Sequence, residues 1–520
     1  MKKFKKVLSL LLVSLMLTGL MIPSFAAEEK EEYPIIMVGG MRDDLVDAEG
    51  TKIYPSGMDM TSYLGDVLPG CMQDLIKAYF TDDWTDYGES FSAALKPVFE
   101  KIQVDGDGVI KDGSHAKWTW TKDTLCTKTS GYEMLDYAFE YDWRVSSYDV
   151  AEKLNEYIDA VLEVTGKDKV NLVGRCLGAN VIMCYLDKYG TDKVNTLVMH
   201  VSGAEGNSFI GSLFSGDLSL DADSVDTFAT SFSNNYDLIG DPALQELLMA
   251  FVSLMNQVKV LGIGTEAVEE IYSHLKEDYM PEMLRTSFGS FGTIWDCVAP
   301  EYYEAAKDFV FNTPELKEEY APMLEKADKY NYEIKVNVRE RLKEYAEKIN
   351  IEVVAKYNCD IYPIFEGSKV QGDGLIELEK ISFGATTVNM GETLSQEYID
   401  ERTQAGFGKY ISKDNIIDAS TCLFPEHTWF IRDVEHMNWL TCVDDFITEI
   451  IRADGEMTVS NSTQFLKYNS SNDSLEAVTE PITKAEDRWS ADVDTVMVRF
   501  ILNIIKVILN KLFSLLPFGK

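Results

Sequence analysis

The chain has 520 residues, of which 46% are hydrophobic, and a formal net charge of −38 at pH 7. This composition supports a sizeable folded core and excludes a largely disordered chain. The negative charge argues against nucleic acid as a partner, because an acidic surface repels phosphates. The length suits one large decorated domain or two to three smaller ones.

The first 26 residues have the pattern of a secretory signal peptide. A lysine-rich start precedes an apolar run from Val7 to about Ile22, and Ser24-Phe25-Ala26 follows. A basic start, a short apolar core and small residues before the cut are typical of such a peptide. We therefore expect cleavage after Ala26 and a secreted, extracytoplasmic protein.

The cysteines and histidines do not form a recognisable metal or disulfide pattern. Eight cysteines and five histidines are spread along the chain without a zinc-binding spacing. Export permits disulfides, so pairs such as Cys71 with Cys126 and Cys422 with Cys442 stay open. We expect no metal and no cofactor.

Short apolar runs alternate with amphipathic helical stretches over much of the chain. This pattern predicts an α/β fold with a mainly parallel central sheet and helices on both faces. The predicted strands are 34–38, 139–143, 170–173, 194–201, 360–365 and 428–431, and the predicted helices include 148–164, 177–189 and 438–452.

A long helical stretch interrupts the strand pattern and predicts a cap inserted between two parts of one core. A Ser-, Asn- and Thr-rich stretch near the end has the composition of a linker. The predicted organisation is a signal peptide (1–26), the first part of the core (27–205), a helical cap or lid (206–350), the second part of the core (351–454), a linker (455–490) and an amphipathic C-terminal helix (491–520).

The sequence Gly174-Arg175-Cys176-Leu177-Gly178 lies between a predicted strand and a predicted helix. This is the arrangement of a nucleophile elbow, in which glycines leave room around a sharply turned nucleophile. We predict an α/β-hydrolase fold with Cys176 as the nucleophile. The N–H of Leu177 should bind the oxyanion, together with that of Met41 or Gly40 in the loop after the first strand.

A thiol needs a base to become a thiolate near neutral pH. In this fold the acid and then the histidine follow the nucleophile along the chain. His436 comes after strand 428–431 and before the last helix, so we predict it as the base. His427 precedes that strand and is the alternative, whereas His200 lies within a strand.

The acid should follow the predicted strand 360–365. Gly372-Asp373-Gly374 forms a turn in that place, and we predict Asp373 as the acid. Asp-Gly pairs are also common in ordinary turns. Asp418, which is much nearer to His436 in the chain, therefore stays open as a competitor.

Five patches of the sequence resemble the lecithin:cholesterol acyltransferase-like branch of the α/β-hydrolases. The resemblance implies a serine–aspartate–histidine triad, which carries onto Cys176, Asp373 and His436, and it implies lipid acyl esters as substrates. The patches are Pro34 to Gly40, Tyr141-Asp142-Trp143-Arg144, the elbow, Gly372-Asp373-Gly374 and His436-Met437-Asn438.

Two positions depart from that branch. Gly39 stands where the family has proline, and Cys176 stands where it has serine. Cysteine in this elbow is similar to that of dienelactone hydrolases and polyester synthases, so thioester chemistry is feasible. The expected function is an acyl-ester hydrolase or acyltransferase acting on lipid esters. An esterase for cell-wall or glycan acyl groups and a catalytically silent surface-binding protein are the alternatives.

The C-terminal segment 492–520 is apolar except for one narrow polar stripe at helical spacing. We expect an interfacial helix that holds the protein at the outer membrane surface of the cell. Docking on the protein's own cap or on another subunit, or a transmembrane anchor, are the alternatives. The stripe consists of Asp492, Thr495, Arg499, Asn503, Lys506, Asn510 and Ser514.

Overall fold

The structure is a computed structural model. The predicted signal peptide and the predicted C-terminal helix lie outside the described residues, as does the middle of the predicted cap. The described residues are 32–41, 44–54, 60–118, 120–127, 133–219, 266–361, 365 and 367–481. The elements below belong to the unit that begins at Pro34.

A seven-stranded sheet forms the centre of this unit, in the order β1-β5-β6-β7-β10-β11-β12. Its neighbouring strands are parallel except for β12, which pairs antiparallel with β11 at one edge. Two small antiparallel sheets, β3-β2-β4 and β8-β9, lie in the connections. The strands are β1 (Ile35–Val38), β2 (Leu45–Val46), β3 (Lys52–Tyr54), β4 (His115–Ala116), β5 (Val170–Arg175), β6 (Val194–His200), β7 (Asn350–Tyr357), β8 (Thr386–Thr387), β9 (Ile417–Asp418), β10 (Thr428–Arg432), β11 (Phe465–Asn469) and β12 (Ser474–Ala477).

The α-helices cover both faces of the sheet and fill the connections between strands. In chain order the described helices are α1 (Met60–Thr81), α2 (Thr85–Phe99), α3 (Lys122–Thr127), α4 (Glu133–Asp136), α5 (Ser147–Thr165), α6 (Leu177–Tyr189), α7 (Ser208–Ser215), α8 (Glu266–Lys276), α9 (Met280–Leu284), α10 (Gly292–Trp295), α11 (Tyr303–Val310), α12 (Pro314–Glu319), α13 (Ala321–Lys329), α14 (Val338–Ala346), α15 (Leu378–Ile381), α16 (Gln396–Gln404) and α17 (Thr441–Ala453).

Successive residues of the central strands are buried on opposite faces, as the two-residue period of a strand requires. In β1, Ile36 and Val38 join the hydrophobic core that contains α5 and α6. Ile35 and Met37 join the core that contains α17. A strand buried on both faces contains an unbroken apolar run, and this explains why its sequence does not alternate.

The helices that flank the central strands have clear end signals in the sequence. Ser146 caps the start of α5 by accepting a hydrogen bond from the N–H of Tyr148. Gly166 ends that helix in the left-handed conformation, with φ of 67°. These signals are local, which is why the prediction of this helix came within one residue at each end.

Three predicted segments were wrong. The strand expected at 360–365 lies earlier, as β7, and residues 362–364 are outside the described part. The strand expected at 139–143 is reduced to a single bridge between Phe139 and Val38. The expected linker contains β11 and β12, which extend the central sheet beyond β10.

Helices α7 to α14 occupy the described parts of the predicted cap, between β6 and β7. Among all the described residues, no helix has both the length and the apolar character needed to cross a membrane. Among the cysteines that the structure describes, Cys71, Cys422 and Cys442 are not in disulfides. Neither disulfide left open by the sequence is therefore present.

Candidate functional site

Cys176 occupies the sharp corner between β5 and α6. Its backbone has φ of 51° and ψ of −123°, a strained conformation for a residue with a side chain. A Cβ on Gly178 would lie 2.0 Å from the carbonyl oxygen of Val38, and one on Gly174 would lie 2.8 Å from the Cα of Ala179. Only glycine fits at these two positions, so they allow the corner to form.

The loop after β1 passes directly beside this thiol. A Cβ on Gly40 would lie 3.2 Å from the Cβ and 3.6 Å from the Sγ of Cys176. The hydroxyl of the buried Tyr141 donates a hydrogen bond of 2.7 Å to the carbonyl oxygen of Gly39 and holds this loop. Leu177 is the first residue of α6, where backbone N–H groups have no partner within the helix. The backbone at Leu177 and at Gly40 therefore flanks the sulfur, and Met41 follows Gly40 in the same loop.

His436 and Asp373 lie together after the carboxyl ends of β10 and β7. Nδ1 of His436 is 2.5 Å from Oδ2 of Asp373, and both side chains are almost fully buried. The other carboxylate oxygen, Oδ1, accepts hydrogen bonds from the N–H groups of Leu375 at 3.0 Å and Ile376 at 2.8 Å. These bonds fix the carboxylate, which in turn fixes the orientation of the imidazole ring.

The second ring nitrogen of His436, Nε2, is buried and makes no hydrogen bond of ordinary geometry to a described residue. Burial disfavours the imidazolium form, but Asp373 and Cys176 more than offset this and raise the pKa of His436 to about 10. The interaction with Cys176 means that the thiol and the imidazole are electrostatically coupled. A histidine next to a thiol is the arrangement that nucleophilic catalysis by cysteine needs.

The competing residues lie elsewhere and have other partners. His427 is at the opposite end of β10, with Nδ1 3.1 Å from Oε2 of Glu352. Asp418 accepts hydrogen bonds from Arg402 at 2.7 Å and Tyr398 at 2.9 Å. His436 and Asp373 are thus the histidine and carboxylate that the fold brings together near Cys176.

His200, the third histidine considered, lies at the end of β6 and is buried behind the corner. Its Nδ1 accepts a hydrogen bond of 3.2 Å from Nε of Arg175. Burial and the positive charge of Arg175 hold the pKa of His200 well below its usual range. Arg175 also forms an ion pair with Asp444 on α17. His200 is therefore a neutral side chain in the wall of the site.

Sequence reasoning missed several buried polar groups that surround His436. Lys356 in β7 is fully buried and donates hydrogen bonds to the chain segment around His436. Glu435 lies beside Gly374, and burial together with Asp373 raises the pKa of Glu435 to about 8. The available signal was a single lysine in the apolar run Val353-Val354-Ala355-Lys356-Tyr357.

One group of exposed side chains in the described residues could hold a metal ion. Asp82 follows α1, and Glu270 and His274 lie one helical turn apart on α8, with their ligand atoms within 4.8 Å of one another. The ring of His274 stacks on Trp84 at 4.8 Å. These residues are separate in the chain from those around Cys176, and the geometry at Cys176 uses none of them.

Comparison with known proteins agrees with the architecture. A family model described as alpha/beta hydrolase fold matches residues 114–236, which include β5, the corner at Cys176, α6 and β6. No curated protein and no solved structure matches the chain. The predicted α/β-hydrolase fold is therefore confirmed. The match indicates a hydrolase or an acyltransferase.

Proposed function

We propose that this protein cleaves or transfers acyl groups of esters, with Cys176 as nucleophile, His436 as base and Asp373 as the residue that orients the base. The observation that carries the proposal is the coupling of a strained, partly exposed thiol to a buried histidine–aspartate pair. A thiol, a base and an orienting carboxylate in this order are the parts that nucleophilic catalysis needs.

In the first half of the proposed cycle, the Cys176 thiolate attacks the ester carbonyl carbon and a carbon–sulfur bond forms. The carbonyl electron pair moves to oxygen, and N–H groups of Leu177 and of Met41 or Gly40 stabilise that negative charge. When the carbon–oxygen bond to the leaving alcohol breaks, Nε2 of His436 donates its proton to the departing oxygen. The product is a thioester on Cys176.

In the second half, water or another alcohol attacks the thioester. Nε2 of His436 takes the proton from the attacking hydroxyl, and the carbon–sulfur bond breaks to regenerate the thiolate. Water gives hydrolysis, and an alcohol gives acyl transfer. No step requires a metal or another cofactor.

Lipid esters are the substrates that we favour. The resemblance to lecithin:cholesterol acyltransferase-like enzymes supports this choice, as do two large apolar residues that follow His436 in the chain. The side chains of Met437 and Trp439 are 43% and 37% exposed, although both are large and apolar. Exposed apolar side chains at the edge of a site fit an apolar substrate better than a polar glycan.

Turnover of p-nitrophenyl esters with acyl chains of two to sixteen carbons tests both the chemistry and the substrate class. Wild-type protein should cleave them, Cys176→Ala should be inactive, and Cys442→Ala should behave as wild type. Cys442 is the matched control because it is also a free thiol of intermediate exposure. A preference for long chains supports lipid substrates, whereas activity restricted to acetyl esters would favour cell-wall or glycan esters.

Labelling distinguishes an enzyme from a silent fold without knowledge of the substrate. Iodoacetamide at pH 7, followed by peptide mass spectrometry, should modify Cys176 faster than Cys442 or Cys359. The His436 imidazolium should be responsible for this difference, so His436→Ala should reduce the labelling rate of Cys176. Equal labelling of the three thiols, together with no ester turnover, would support the silent surface-binding protein.

The proposal includes a membrane role for the C-terminal segment 492–520, which lies outside the described residues. A cationic stripe on an apolar segment fits adsorption to an anionic lipid surface. Sedimentation with vesicles that contain phosphatidylglycerol should recover the full-length mature protein but not a variant that ends at residue 491. Equal recovery of the two would remove the membrane role without affecting the proposed chemistry.

A further inference from the structure

Lys356 is a buried cation directly behind the segment that contains His436. It lies in β7 opposite Ile431 of β10, and its side chain is inaccessible to solvent. Nζ donates hydrogen bonds to the carbonyl oxygens of Glu435 at 3.0 Å, His436 at 3.3 Å and Asn438 at 2.8 Å. The lysine thus binds the backbone on both sides of the histidine and at the histidine itself.

Three acceptors match the three N–H groups of an ammonium ion, whereas a neutral amine has only two. Burial lowers the pKa of Lys356 to about 7, and the negative charge of Asp373 opposes this shift. An unpaired buried cation is costly, and an apolar side chain would be easier to accommodate in the middle of a sheet. The hydrogen bonds to this segment compensate for that cost.

Lys356 also contributes to the charge balance of the site. In the thiolate state of the proposed cycle, Cys176, the His436 imidazolium and the Asp373 carboxylate together carry one net negative charge. Arg175, which also faces Lys356, forms an ion pair with Asp444 and does not balance that charge. Lys356 supplies the missing positive charge inside the protein.

Two other groups act on Lys356 from neighbouring segments. The ionised forms of Cys359 and Glu435 each favour its charged form, although less strongly than Asp373 does. The ring of Trp439 covers the lysine, with Nζ 4.7 Å from the ring centroid. An aromatic face attracts a cation at this distance, so Trp439 closes the site of the ammonium group on the side of His436.

We propose that Lys356 is a positioning residue whose ammonium group fixes the segment Glu435–Asn438, so that Nε2 of His436 faces Cys176, and balances the buried charge of the site. This inference rests on the proposed function, because it assigns Lys356 a task in presenting the base to the nucleophile. It predicts that removal of the ammonium group affects the rate of chemistry more than it affects substrate binding or folding.

Lys356→Met tests the inference, because methionine fills similar space without charge or N–H groups. Lys335→Met is the matched control: Lys335 is also buried, and it donates to the carbonyl of Val298 and to Asn331 in the cap. Both variants would be compared with wild type at pH 6.5 by urea unfolding, by p-nitrophenyl butyrate hydrolysis and by the rate of Cys176 alkylation with iodoacetamide.

For Lys356→Met we expect cooperative unfolding, a KM within about 3-fold of wild type, and a kcat lowered on the order of 100-fold, as a misplaced catalytic group produces. Alkylation of Cys176 should slow as well. Lys335→Met should keep kcat and the alkylation rate within about 3-fold of wild type, because Lys335 makes no hydrogen bond to the segment of His436. If Lys356→Met does not fold, Lys356→Gln is measured instead, since its amide keeps two N–H donors.

A folded Lys356→Met or Lys356→Gln variant with wild-type kcat and alkylation rate would overturn the inference. An equal loss of kcat in Lys335→Met would do the same, because the effect would then be general to buried lysines. If wild-type protein itself lacks Cys176-dependent turnover and preferential labelling, the proposed function fails and the role of Lys356 fails with it. The wild-type measurement therefore separates the two failures.

Discussion

His436 is hydrogen-bonded to Asp373 at two points. Its backbone N–H donates to the carbonyl oxygen of Asp373 at 2.7 Å, and its ring Nδ1 lies 2.5 Å from Oδ2 of the same residue. The two residues are far apart in the chain, so this double contact joins the segments that follow β7 and β10. It fixes both the position and the rotation of the imidazole ring.

Replacement of Asp373 by alanine should lower kcat/KM for p-nitrophenyl esters by at least about 100-fold, because an unoriented histidine is a poor base. The change also removes a negative charge that raises the pKa of His436. The imidazolium form should therefore be lost at lower pH than in wild type. Steady-state kinetics between pH 5 and pH 11 would measure both effects, because this range includes the His436 pKa of about 10 in wild type.

Asp418→Ala is the matched control for that change. Asp418 is also a buried aspartate, but it pairs with Arg402. Its loss should reduce the free energy of unfolding by about 1–3 kcal/mol and leave the kcat/KM of the folded protein unchanged. A larger rate loss in Asp418→Ala than in Asp373→Ala would reverse the assignment of the acid.

Gly178→Ala should destabilise the corner at Cys176. The added Cβ would meet the carbonyl oxygen of Val38 at 2.0 Å, so β1 and α6 would have to separate. We expect the free energy of unfolding to fall by about 3 kcal/mol, at the upper end of the usual cost of overpacking. Gly70→Ala on α1 is the control, because its Cβ would meet nothing within 4 Å. Similar melting temperatures for the two variants would contradict the packing argument.

The parts of the fold that the sequence predicted best are those with local signals. The bounds of α6 match the prediction, because the glycine-rich corner begins this helix and Gly190 ends it. The candidate triad was predictable for a related reason. Cys176 and His436 follow predicted strands, and the carboxyl ends of parallel strands lie at one edge of the sheet. Asp373 was predicted after a strand at 360–365, whereas the strand that precedes it is β7.

The errors occurred in segments where no local sequence signal distinguishes a helix, a strand and a loop. The residues of β7 follow a helix without a glycine or proline between Ala346 and Tyr357, so helix and strand could not be separated by periodicity. The strands β11 and β12 are rich in polar residues because they lie at the sheet edge. The composition of this stretch alone is therefore like that of a linker. The role of Lys356 depends on contacts with residues about 80 positions away, as with Glu435 and Asn438.

Cys176→Ser introduces the residue that lecithin:cholesterol acyltransferase-like enzymes have at this corner. We nevertheless expect a poor enzyme. Serine is a much weaker acid than cysteine, and without a thiolate His436 loses one of the charges that raise its pKa. At pH 7 kcat/KM should fall by at least about 100-fold. The residual rate should rise with pH, because only a neutral imidazole can accept the serine proton. A variant as fast as wild type at pH 7 would show that the thiol is not needed.

Glu435 should make the protein less stable as the pH rises. Burial and Asp373 raise the pKa of Glu435 from 4.5 to about 8, so between these values the folded chain keeps a proton that the unfolded chain releases. Stability therefore decreases as the pH rises from about 4.5 to about 8, and this contribution levels off above it.

Glu435→Gln removes the titrating group, so its stability relative to that of wild type should increase as the pH rises over that range. Urea unfolding at pH 5, 7 and 9 would measure the difference, with the exposed Glu449→Gln as control. Parallel pH profiles for wild type and Glu435→Gln would mean that Glu435 is ionised beside Asp373, and the charge balance attributed to Lys356 would then need one more positive group.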